Sequence, residues 1–308
     1  MSTNRLLELA RPLGVDATTA EVVPALQEAG CTAILLRGPV LRRALYGEGA
    51  HRPYVDTDLL VSPRDFARAG EVLARLGFSL VLDHRDHGWV ADPHAQEWGR
   101  APHGHVDLHW LLPGCTVAGD RSWEILSAHV EPIAVAGIEV QAPTRGALAL
   151  IVALHAAHHG TTKRRPLDDL DLAVERLGAE AWRAAAALAE DLGATEAFSA
   201  GVRLAPAGAA LASSLGLADP VSARRRLMAA SPRSGALGLL RILEADGGRL
   251  EAIRETLFPA PSYMRVAHPN ARRGRRGLLL AYVMRLLGRA WRLPAAVLAL
   301  RAARRAGG

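Results

Sequence analysis

At Pro143 this chain changes its period, and that break constrains the fold more than any other feature. Upstream, short apolar runs alternate with helical stretches, separated by glycine and proline turns. Thr32–Leu36 reads as a strand between a helix near Glu21–Ala29 and a second helix from Val40. The run around Asp56 reads as another strand, followed by a helix over Pro63–Leu76 with Ser62 as N-cap and Gly77 as its stop. Phe78–Asp83 and Gly88–Ala91 read as an antiparallel pair ahead of a strand through Asp107, and Ile133–Val140 as a hairpin turning at Gly137. From Ala147 onward the sequence is alanine-rich and helical. The expected class is α+β: a mixed or antiparallel sheet with flanking helices in residues 1–143, then a mainly helical part in 144–308.

The chemistry concentrates in the first part. In Arg52-Pro-Tyr-Val-Asp56-Thr-Asp58 the two aspartates alternate, so on a strand they share a face with Cα atoms about 6 to 7 Å apart. Two converging carboxylates suit a hard divalent cation such as Mg²⁺, or Mn²⁺, and such a cation commonly accompanies phosphate. Upstream, the apolar run ends at Arg37-Gly38 and a helix opens, an arrangement that brings backbone amides to a phosphate. Downstream, His105-Val-Asp107-Leu-His109-Trp110 alternates again and places a third carboxylate, Asp107, beside His109.

Together these segments resemble the uncharacterised nucleotidyltransferase family of the DNA polymerase beta superfamily. The resemblance rests on Leu36-Arg37-Gly38, Leu45-Tyr46, Arg52, Asp56-Thr57-Asp58, Gly77-Phe78 and Asp107-Leu108-His109-Trp110, continues through Leu154–Gly160 and Asp171, and extends to Leu257–Pro259 and Tyr263–Arg265. It implies a nucleotidyltransferase-like first domain in which Asp56, Asp58 and Asp107 are catalytic and hold Mg²⁺. It also implies that Arg37, Gly38 and Arg52 seat a nucleoside triphosphate, and that the nucleoside monophosphate passes to the hydroxyl of a small-molecule, peptide or protein acceptor. The chain departs from the superfamily at Pro39, where serine is usual: proline offers neither an amide N–H nor a hydroxyl. The eighteen positions from Gly38 to Asp56 also exceed the usual gap. A degenerate, non-catalytic nucleotide-binding or protein-partner module is therefore the alternative.

On the first helix after the break, His155 and His159 are four apart and share a face, with His158 adjacent. His155 and His159, with His109 and Asp171, are candidates for substrate contact, and the same spacing could ligate a transition metal with Asp168, Asp169 or Asp171 as a carboxylate ligand. A His/Asp metal-dependent phosphohydrolase is the rival enzyme reading, against which His159 is followed by Gly160 and not by aspartate.

Charge is unevenly spread. The total is +6, but residues 265–308 hold eleven arginines and no acid, leaving the rest net acidic. With four Phe and four Tyr there is little stacking surface for single-stranded nucleic acid, so a nucleic-acid partner is not expected. The arginine-rich end reads either as terminal helices packed on the acidic body or as a weak contact with an anionic surface. Its apolar runs, Leu278–Met284 and Leu293–Leu300, fall short of the about 20 residues of a spanning helix. Cys31 and Cys115, the only cysteines, read as free thiols, and with no signal peptide evident a cytoplasmic location is expected.

Overall fold

The computed structural model describes residues 3–47, 52–86, 93–102, 104–230, 235–245 and 247–305. The first helix, α1 (Thr3–Glu28), joins into one element the segment near Glu21–Ala29 and the helix, interrupted at Glu8 and Arg11, into which the sequence also leads after Arg5. Its buried face carries Thr18 and Thr19 beside Val15, Val22, Val23 and Leu26. Each threonine hydroxyl donates to the carbonyl four residues back, at 3.0 Å, so polar residues fill core positions without an unsatisfied group.

Strand β1 (Ala33–Leu35) leads through Arg37-Gly38 into a short helix α2 (Pro39–Leu41) that runs into a π-helical turn over Arg42–Tyr46. Next come β2 (Thr57–Val61), α3 (Phe66–Arg75), β3 (Ser79–Asp83), β4 (Ala95–Arg100), β5 (Gly104–His109), α4 (Gly119–Ser127), β6 (Val130–Val135) and β7 (Ile138–Pro143). Helix α3 starts at Phe66, three residues later than expected. Ser62 instead opens the preceding turn, its carbonyl accepting the Asp65 amide at 3.0 Å and its hydroxyl the Arg64 amide at 3.2 Å. Gly77, with φ +84°, ends the helix as expected. The expected strand at Gly88–Ala91 lies outside the described residues, and β4 is the antiparallel partner of β3.

The strands form one mixed sheet in the order β3-β4-β5-β2-β1-β7-β6. Parallel pairing joins β2 to β5 and β1 to β7, and the other neighbours are antiparallel. Beyond Pro143 the described residues hold helices and no strand, opening with α5 (Arg145–His159), α6 (Arg164–Arg176), α7 (Ala179–Asp191) and α8 (Thr195–Val202).

Helix α5 is buried at every position from Gly146 to Leu154, as an element hydrophobic all round must be. It packs against α7 and α8, and Gly201 on α8 lets the two backbones meet: a Cβ there would stand 2.0 Å from the Ala153 carbonyl oxygen. Ile34, Leu60 and Val140 of the sheet share one buried cluster with Leu148, Trp182 and Phe198 of the helices, so the chain has a single main core across the break at Pro143. The arginine-rich end is one helix over Gly274–Arg305, with Pro294 inside it, where a pair of helices was expected. No helix among the described residues is long and apolar enough to cross a membrane.

Candidate active site

The sheet register brings the carboxylates together. Asp58 on β2 pairs with Asp107 on the parallel β5, and Asp107 pairs in turn with Glu97 on the antiparallel β4. Paired residues on adjacent strands project from the same face, so Asp58, Asp107 and Glu97 form a row across three strands. Two residues along β5, on that same face, lies His109. Asp56 precedes β2 and lines the same cavity.

The start of β2 is held firmly. Thr57 is fully buried on the opposite face and lies 3.1 Å, hydroxyl to hydroxyl, from Thr19 of α1. Tyr54 donates to Asp16 at 2.6 Å. Gly38, at φ +64°, turns the chain between β1 and α2, and a Cβ there would reach within 3.4 Å of the Tyr54 ring.

Over the row of acids, Arg37 donates to the Asp58 carboxylate through one terminal nitrogen and approaches Nε2 of His155 at 2.8 Å with the other. His109 Nε2 lies 3.3 Å from the same Asp58 oxygen, both side chains only 4% exposed, and its Nδ1 has no hydrogen-bond partner among the described residues. Arg52 is taken up at two nitrogens by Asp169 of α6, Nε at 2.8 Å and Nη2 at 2.6 Å, while its buried Nη1 has no hydrogen-bond partner among the described residues. Asp169 also accepts the Tyr46 hydroxyl at 2.7 Å.

The electrostatics follow from crowding like charges away from water. Burial, with the Asp58 charge beside it, pushes the Asp56 carboxyl up to about 6. Burial raises Asp107 well above the ordinary range, and Asp58, Asp56 and Glu97 add to the rise. Arg37 moves up as well: its burial opposes the charge, and Asp58, Asp56 and Asp107 together outweigh it. Burial, assisted by Arg37, holds His109 and His155 well below the usual imidazole value. His159 is lowered by burial and by His158. Neutral imidazoles can accept hydrogen bonds or ligate metals, which protonated ones cannot.

The cavity these groups line is about 560 Å³. It gathers Arg37, Gly38, Arg52, Asp56, Asp58, Asp107, His109, His155 and His159, all named from sequence. It does not include Asp171, which is exposed on α6 and lies with Asp168 outside the cavity. Helical period explains the placement, since Pro166, Asp169, Leu170 and Ala173 form the buried side of α6. No aspartate of α6 joins the histidines: Asp169 holds Arg52, and Asp168 holds Arg164.

Three residues that the sequence reading passed over also line the cavity: His84, His94 and Glu97. His84 and His94 meet edge to face at 4.8 Å, and His94 stacks on His109 at 5.4 Å. His94 also meets His158 of α5 at 5.0 Å, so the imidazole series begun at His155 and His159 crosses to the sheet.

For a metal ion, the group that comes together is Asp58, Asp107 and His109, whose ligand atoms all lie within 4.8 Å of one another. Two carboxylate oxygens fit Mg²⁺ or Mn²⁺, and an imidazole nitrogen in the set favours the latter.

The family described as uncharacterised nucleotidyltransferase matches residues 3–208. No curated protein matches the chain. Among solved structures, the antibiotic-resistance factor ANT(2'')-Ia in solution is 15% identical with a TM-score of 0.40, covering 59% of this chain and 94% of that one. Its crystal structure in complex with adenylyl-2''-tobramycin is 14% identical with a TM-score of 0.39, covering 57% and 97%. The lincomycin-bound lincosamide antibiotic adenylyltransferase LnuA is 12% identical with a TM-score of 0.35, covering 51% and 95%.

Proposed function

The chain belongs to the uncharacterised nucleotidyltransferase family, and from that premise we propose that it transfers a nucleoside monophosphate from a nucleoside triphosphate to a hydroxyl acceptor. Residues 1–143 carry the reaction, and residues 144–308 close the cavity with α5 and the segment after it. The observation that supports this reading most is the Asp58–Asp107 register, which sets two carboxylates and His109 beneath Arg37 and Gly38 in one cavity.

The residues divide by charge. Arg37, Lys163, Arg164 and Arg165 line the cavity and would take up the phosphates, with Arg52 beside them held by Asp169. Guanidinium groups grip phosphate in a planar fork, which offsets the donors lost at Pro39. Asp58, Asp107 and His109 would hold the divalent cation, Mg²⁺ or Mn²⁺, with Asp56 beside them. Such a cation, when bound, supplies neutralisation of the triphosphate oxygens. His155 and His159, kept neutral, offer hydrogen-bonding nitrogens to the substrate without adding charge. Catalysis of this kind is positioning and electrostatic complementarity rather than covalent chemistry by the protein.

Incubating the protein with each ribonucleoside triphosphate and Mg²⁺ or Mn²⁺ tests the reading. Slow release of pyrophosphate by transfer to water is expected, and Asp58→Asn should reduce it at least 100-fold. Release of inorganic phosphate in place of pyrophosphate would point to a phosphohydrolase instead.

A further inference from the structure

A second cavity of about 660 Å³ lies against the row of acids from the side of α1 and β3, and it shares Val55, Asp56, Glu97, Asp107 and Lys163 with the first. The two hollows differ in character. The first is dominated by the guanidinium and imidazole groups described above. Val15, Val81 and Trp98 line the second and not the first, and Val55 lines both; Val55 and Val81 are 39% and 41% exposed.

Resting on the nucleotidyltransferase reading, we propose that the acceptor binds in this second cavity as a phosphate-free, partly apolar alcohol, and that Glu97 takes the proton from its hydroxyl.

Three observations carry this. First, nucleotidyl transfer needs two substrates that reach one phosphorus from roughly opposite directions. Here two hollows meet at one row of carboxylates. Second, apolar walls next to Asp56, Glu97 and Asp107, with Arg11 and the shared Lys163 as the only lysine or arginine among the described lining residues, do not suit a second polyanion. They suit a molecule with an apolar face and a hydroxyl pointed at the acids. Third, Glu97 differs from its neighbours in the row. It lies outside the group of ligand atoms around Asp58, and its side chain is 39% exposed where that of Asp58 is 4%. Nε2 of His84 stands 3.6 Å from its carboxylate.

The step balances on these groups. The acceptor oxygen bonds to the α-phosphorus, and the bond from that phosphorus to the oxygen bridging to the β-phosphate breaks. Pyrophosphate leaves with the electron pair, and the acceptor proton passes to the Glu97 carboxylate. A base in that position contributes roughly 10²- to 10⁴-fold.

Two measurements on the full chain test the proposal. In the first, water serves as the acceptor and pyrophosphate release is followed. Glu97→Gln should lower kcat about 100-fold with KM for the triphosphate within twofold, and Glu97→Asp should recover part of the loss. An unchanged kcat in Glu97→Gln, with the wild type turning over, overturns the role of Glu97 and leaves the nucleotidyltransferase reading standing. No pyrophosphate from the wild type overturns both. In the second, saturation-transfer NMR follows octyl β-D-glucoside, an uncharged alcohol with an apolar chain, beside glucose 6-phosphate. Transfer to the glucoside that is lost in Val81→Trp is expected. Transfer only to the phosphorylated sugar, or to neither, overturns the assignment of the acceptor.

Discussion

Arg37 and Asp58, 21 positions apart in sequence, form a buried ion pair at the point where a cation would be held. The guanidinium therefore competes with a metal ion for the same carboxylate oxygen, and a triphosphate competes with Asp58 for the guanidinium. Binding of cation and nucleotide should be coupled through this exchange.

Replacing Arg37 separates the two effects. In Arg37→Gln, Mn²⁺ affinity of the nucleotide-free protein should rise several-fold, because Asp58 no longer has a resident partner. Triphosphate affinity should fall about tenfold, the loss of one charge-assisted contact. Mn²⁺ titration by electron paramagnetic resonance and calorimetric titration of the nucleotide read the two quantities. A fall in both affinities would mean that Arg37 only orders the site.

The Arg52–Asp169 pair tests how the halves of the chain are joined. Asp169 is 2% exposed and accepts from Arg52 twice and from Tyr46 once. Removing one partner of a buried pair strands the other charge, at a cost of about 3 to 5 kcal/mol. Asp169→Asn should lose stability on that scale in urea, and Asp171→Asn, exposed two positions on, should change it by less than about 0.5 kcal/mol.

A pH prediction follows from Asp56. Its carboxyl is raised from 3.8 to about 6 in the folded protein, so the folded form keeps a proton that the unfolded chain has already lost. The folded state binds more protons between about pH 4 and 6, and stability contributed by this group falls as pH rises through that window. In chelator, Asp56→Asn should be more stable than the wild type at pH 7.5 by on the order of 1 to 3 kcal/mol. The gap should shrink at pH 4.5 and on adding Mn²⁺. Paired urea denaturation curves at the two pH values check this, and a gap independent of pH would contradict it.

What the sequence made legible was set by period. Asp56, Asp58, Asp107 and His109 could be placed because β2 and β5 alternate cleanly, with Thr57, Leu59, Val106 and Leu108 buried on the other face. Glu97 escaped because the buried face of β4 is itself polar in part. Gln96 donates to Asp83 at 2.6 Å, and Trp98 donates to Gln96 at 3.2 Å, so the strand shows no hydrophobic alternation. The extent of α1 was hidden in the same way by Thr18 and Thr19. His84 opens a 3-10 turn after β3 and His94 precedes β4, where no strand period exists to aim them. The partnership of Arg52 with Asp169 spans 117 positions and has no local signature at all.

In the proposed site Asp58 and Asp107 hold a divalent cation together with a triphosphate in one cavity. Mn²⁺ binding measured by electron paramagnetic resonance, with a non-hydrolysable triphosphate analogue present, tests it most directly. The account predicts tight binding by the wild type, weakened at least 100-fold in Asp58→Asn and in Asp107→Asn while each variant keeps its fold. Equal Mn²⁺ affinity in the wild type and both variants would contradict it.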